Sequence, residues 1–107
     1  MNREEFKRKM TEEGVIISEE ERKTEIAYVA EHESRTINCV IAMEEFAELQ
    51  QEISKQLRDK GDIFGLLEEM ADAYICLELL RRMFEITDDE INRAVDIKVD
   101  HHMREDT

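Results

Sequence analysis

The chain has 107 residues, with 15 Lys and Arg against 28 Asp and Glu, for a net charge of −13. That balance repels the phosphate backbones of DNA and RNA and the surfaces of anionic bilayers. It still admits an anionic small molecule bridged by a divalent cation. The absence of proline, only three glycines and an abundance of Glu, Leu, Ile, Lys and Met point to one all-α domain with a modest core that assembly into oligomers would enlarge. No signal-peptide pattern is present and no apolar run approaches the ~20 residues of a membrane span, so a cytosolic protein with no membrane partner is expected. Cys39 and Cys76 fall among apolar residues and read as two buried free thiols.

In chain order, residues 1–18 read as an N-terminal extension and 19–107 as the helical domain. Phe6 and Met10, four apart, suit a short amphipathic helix ended by Gly14. Val15-Ile16-Ile17 is an apolar connector. Ser18 with Glu21 forms a capping box that opens a helix near residue 19, striped by Ile26, Val29 and Ala30. Ser34 is either a second cap or an interior residue of a continuing helix. A long helix over about 35–57 carries Ala42, Phe46, Leu49, Ile53 and Leu57 on one apolar face. Residues 58–65, with Gly61 and Gly65, read as a turn. Another helix over about 66–85 has Leu66, Met70, Ala73, Leu77, Leu80 and Phe84 as its main stripe. Thr87 with Glu90 caps a last helix over about 88–104, with Ile91, Ala94, Val95 and Val99 inward. The expected fold is an antiparallel helical bundle of about four helices, completed by oligomerisation.

The informative residues are acidic. Glu45 and Glu48 form E-x-x-E on one long helix, and Glu69 and Asp72 form E-x-x-D on the next. Residues three apart share a helix face, so each pair aims two carboxylates at one place. In a chain this acidic an isolated pair is an ordinary solvated face. At 100° per residue, however, Glu69, Asp72, Cys76, Leu79 and Met83 fall on a strip roughly 80° wide that is otherwise apolar. With its main stripe, this makes the helix apolar on most sides and predicts burial on most sides. Glu45 and Glu48 sit beside the main stripe of their helix with Ile37, Ile41 and Glu52, a position that suits a cleft or plain exposure. In a hairpin the two pairs differ in height by about 9 Å, which the turn must climb back. Four carboxylates in one cleft repel each other and recruit a hard cation, for which Mg²⁺ fits best. Glu-x-x-His pairs of the ferritin-like kind are absent from these helices.

Lys98 lies among the apolar residues of the last helix. It either snorkels or forms a salt bridge, or it is aimed at a substrate phosphate. Arg104 follows further on. Lys55, Glu68, Glu78 and Arg82 suit solvated faces, and His32, His101 and His102 have no metal-ligand spacing. No phosphate loop, nucleophile elbow or zinc pattern occurs.

The stretch Glu44-Glu45-Phe46-Ala47-Glu48-Leu49, followed by Leu67-Glu68-Glu69-Met70-Ala71-Asp72-Ala73-Tyr74, resembles the E-E-x-x-E-L and E-x-x-D signature of MazG-like proteins, in the all-α nucleoside triphosphate pyrophosphatase superfamily. Twenty residues lie between Glu48 and Glu69. Ile86-Thr87-Asp88-Asp89-Glu90-Ile91 with Lys98 and Arg104 resembles the last helix of that family, and the likeness spans about residues 24–104. The resemblance implies Mg²⁺, or Mn²⁺ in its place, held by Glu45, Glu48, Glu69 and Asp72. It implies hydrolysis of nucleoside triphosphates to the monophosphate and pyrophosphate, with Lys98 and Arg104 on phosphates and Glu44 or Glu45 as proton acceptor. It also implies a homodimer or homotetramer engaged in nucleotide-pool housekeeping. The alternative from another class is a catalytically silent helical interaction or regulatory protein on the same scaffold.

Overall fold

The computed structural model describes residues 1–12, 14 and 16–105, and in them the protein is all-α, with five helices. They are α1 (Arg3–Glu12), α2 (Glu19–His32), α3 (Arg35–Leu57), α4 (Ile63–Met83) and α5 (Asp88–Glu105). The fifth element, relative to the four of the expected bundle, is α1. The connector at Val15 lies partly outside the described residues. No helix among them is long and apolar enough to cross a membrane.

Each boundary has a local cause. The Ser18 hydroxyl accepts from Glu21 N, and the Ser34 hydroxyl accepts from Ile37 N. Ser34 is therefore a cap, and α2 and α3 are separate helices. Asn38, 1% exposed, donates from Nδ2 to Val29 O at 3.2 Å and locks the corner between them. Thr87 and Glu90 bond reciprocally at the start of α5, at 3.1 and 2.9 Å. Asp59 and Glu85, at φ 55 and 56, close α3 and α4. Lys60 N bonds Lys55 O and Ile86 N bonds Arg81 O, both at 2.9 Å, which is the Schellman arrangement in each case.

α4 starts earlier than the glycines suggest. Asp62 caps it by accepting from Phe64 N, and Gly65 lies inside the helix, buried. Starting three residues sooner brings Glu69 nearer in height to Glu48 and halves the 9 Å climb, to about 4.5 Å.

α4 is the hub, with α3 packed along it most extensively, then α2, then α1. Glu45 meets Asp72, Glu48 meets Glu69, and Glu52 lies beside Gly65. The partners descend α3 as they ascend α4, so the hairpin is antiparallel. The core is small: Ile26, Ala42, Ala73, Cys76 and Leu79, with Asn38 and Glu52 buried beside them.

The stripes expected to form the core on α3 and α4 are inward only in part: Ala42 and Ala73 are buried and Phe46, Leu49, Leu66 and Leu80 half-buried. Leu57 is 84% exposed and Leu77 56%, and Ile53, Met70 and Phe84 are exposed too. The strip through Glu69, Asp72, Cys76 and Leu79 faces the interior beside Ala73. Burial of α4 on most sides fails within one chain, because α3, α2 and α1 together leave part of its circumference open and α5 does not pack along α3 or α4. α5 buries no residue, and Ile91, Val95 and Val99 on its apolar face are exposed. Its base is held by Arg81, which bonds Ile86 O at 2.8 Å and Asp88 at 3.1 Å while gripping Glu78. The open form shows in the dimensions. The radius of gyration is 16.3 Å, against about 13 Å for a compact chain of this length.

Ser34→Ala should lower stability by about 1 kcal/mol in urea unfolding followed by circular dichroism, and Ser34→Asp should retain it.

Candidate metal centre

The α3–α4 seam turns its carboxylates toward one another at mid-height. One carboxylate oxygen each from Glu45, Glu48 and Glu69 lie within 4.8 Å of one another. Asp72 stands against Glu45 from the α4 side. Helical spacing explains the grouping: positions 45, 48 and 52 share one face of α3, and 65, 69, 72 and 76 share one face of α4. Glu45 and Glu69 are half-buried, Glu48 is exposed, and Glu52 is 7% exposed.

The electrostatics are strained. Burial pushes the Glu45 carboxyl up to about 7, and the charges of Asp72 and Glu48 add to that. Burial likewise pushes Glu69 up to about 7, with Glu48 and Asp72 contributing. Asp72 is raised by burial, although a hydrogen bond with Glu45 acts the other way. Burial and the facing Glu45 and Asp72 also raise the Cys76 thiol. Oε2 of Glu45 and Oε2 of Glu69 are buried and have no hydrogen-bond partner. Leaving such atoms bare is costly, and coordination to a cation removes the penalty. An all-oxygen donor set open on its Glu48 side fits Mg²⁺, which binds a few carboxylates and keeps positions for water and phosphate.

Of the residues singled out from sequence, Glu45, Glu48, Glu69 and Asp72 come together. Glu44 lies exposed on the outer side of α3, one position round from Glu45. Lys98 and Arg104 are exposed on α5 and do not join the carboxylates within this chain; Arg104 pairs with Asp100 at 3.0 Å. Among the cysteines, Cys76 is buried and Cys39 half-buried, both free. His101 and His102 are exposed beside Glu105, and His32 stacks on Tyr28.

Three residues escape a reading by helical period. Glu52 is buried in the seam, and its only warning was sharing a side with Glu45 and Glu48. Glu68, on a face that suits solvent, is bonded instead by Arg3 at 2.9 Å. Arg3 belongs to the N-terminal extension, and nothing in its local sequence ties it to a position 65 residues away.

No family model, curated protein or solved structure matches this chain.

In the unfolded chain these glutamates hold protons only to about 4.5, the ordinary value, and in the folded chain to about 7. Between those values the folded state binds more protons, so metal-free stability falls as pH rises from about 4.5 to 7. A cation held by these carboxylates would bind more tightly across the same window, as protons cease to compete. Thermal melts in chelator should therefore give a lower Tm at pH 8 than at pH 5.5. Glu69→Gln should flatten that difference, and Mg²⁺ should restore Tm chiefly at the higher pH.

Proposed function

We propose that the chain is a Mg²⁺-dependent nucleoside triphosphate pyrophosphohydrolase, the activity implied by its resemblance to MazG-like proteins. The observation that carries this is the convergence of Glu45, Glu48 and Glu69, with Asp72 adjoining, around bare buried carboxylate oxygens. These four residues would hold the metal, which when bound supplies neutralisation of the triphosphate and acidification of a water. Water cleaves the α–β anhydride, and the monophosphate and pyrophosphate depart. Glu45, inside the cluster, is better placed than the outward Glu44 to take the water's proton. Nucleotide-pool housekeeping in the cytosol follows as the setting for such a reaction.

Assembly belongs to the same proposal. A chain of 12.7 kDa exposes 8587 Å², against about 6,200 Å² for a compact monomer of that mass. The excess is of the size that obligate assemblies bury. A second copy packed on the outward stripes of α3, α4 and α5 would complete a four-helix antiparallel bundle, as a homodimer or as half of a homotetramer. Lys98 and Arg104 would then meet phosphate only through such packing.

The separation of α5 from the carboxylates favours one rival, a silent helical interaction protein. Calorimetry divides the two readings, since a silent bundle takes up neither Mg²⁺ nor Mg–nucleotide.

A panel of NTPs and dNTPs with Mg²⁺ should yield pyrophosphate in equal amount to monophosphate. Glu69→Ala and Asp72→Ala should each cut turnover by more than about a hundredfold while the helical signal persists. No product from any nucleotide under Mg²⁺ or Mn²⁺ would remove the hydrolase reading. Sedimentation should show a dimer or tetramer, and Leu77→Glu with Val95→Glu should return it to a monomer.

A further inference from the structure

A cation does reach the carboxylate seam, from the end of the chain opposite to Lys98. Nε of Arg3 donates to Glu68 Oε2 at 2.9 Å. Its guanidinium also lies over Gly65. A Cβ built there would collide with Arg3 Nη1 and come within 2.9 Å of Glu52 Oε2. Gly65 is one turn before Glu69 on α4, and Glu52 is one turn after Glu48 on α3. Arg3 therefore occupies the next rung of the same seam, about 6 Å along the helix axis from the candidate metal ligands.

We propose that Arg3 is a phosphate-binding residue of this site, its guanidinium receiving one end of a metal-bound triphosphate laid along the α3–α4 seam. The inference rests on the reading of the carboxylate cluster as a Mg–triphosphate site. A guanidinium presents a planar fork that matches phosphate oxygens. Glu68 engages the Nε edge and orients the group, and the side chain is 36% exposed, open to a ligand. Glu52 is bonded by Lys55 at 3.1 Å, so Arg3 can turn to phosphate without leaving that buried carboxylate bare. The docking of α1 has an anchor of its own. Lys7 pairs with Asp62 and lies over the Phe64 ring at 5.7 Å. Gly65 supplies the clearance that lets an arginine come this close, and the first helix becomes part of the site.

Calorimetry with Mg²⁺ alone and then with Mg²⁺–tripolyphosphate tests this on the full chain. Arg3→Ala should bind Mg²⁺ at least as well as the parent, since a neighbouring positive charge is gone. It should bind Mg²⁺–tripolyphosphate about ten- to hundredfold more weakly. Arg3→Lys, which keeps the charge and loses the fork, should fall between. Lys7→Ala, which loosens the anchor and leaves the guanidinium, should stay close to the parent. In turnover, Arg3→Ala should raise KM more than it lowers kcat. The proposal is overturned if Arg3→Ala matches the parent for tripolyphosphate, if it loses Mg²⁺ as well, if Lys7→Ala reproduces its defect, or if the parent binds no tripolyphosphate. A parent that binds tripolyphosphate through Arg3 yet releases no pyrophosphate from any nucleotide overturns the hydrolase reading and leaves this one standing.

Discussion

Like-charge repulsion inside the α3–α4 seam is the constraint on which the rest of this structure depends. Two helices that could have met through leucine and methionine meet instead through Glu45, Glu48, Glu69 and Asp72. Burial and the neighbouring carboxylates push Glu45 and Glu69 up to about 7, so protons relieve part of that repulsion below neutral pH. The small residues around the cluster follow from it. Ala42, Ala73 and Cys76 bring the backbones close where the acids must face each other, and Gly65 does the same one turn further on. A seam organised for stability alone would carry larger side chains at these places.

Committing the inner strip to acids has a cost elsewhere. Ile53 and Leu57 of α3 and Met70, Leu77 and Tyr74 of α4 are turned outward, and α5 leaves the body with its own apolar face uncovered. The surface left over is continuous with the proposal that a second copy belongs there. It also explains why a single chain encloses so little: among the described residues, five small or medium apolar side chains are buried.

Much of this was legible from sequence, for physical reasons. Capping boxes act between residues three apart, so Ser18 with Glu21 and Thr87 with Glu90 announced their helices directly. The face shared by Glu69, Asp72, Cys76 and Leu79 was readable because helical rotation alone determines it. Which of two apolar strips turns inward was not, since that depends on the neighbour across the hairpin; hence the misplaced core at Leu57 and Leu77. Gly65 was read as punctuation because its purpose, clearance for Arg3, lies in another helix. The bond from Arg3 to Glu68 spans most of the chain and leaves no periodic trace.

Arg81 has a consequence for the last helix. One guanidinium, only 13% exposed at its side chain, grips Glu78 on its own helix, the Ile86 carbonyl in the turn and Asp88 at the base of α5. Such a three-way clasp fixes the direction in which α5 leaves the body. A loosely tethered arm must lose orientational freedom whenever it docks, and that loss weakens association. Here the bearing of the arm is set in advance by a residue that belongs to neither the carboxylate seam nor the outward apolar face, so the geometry of encounter is written into the hinge.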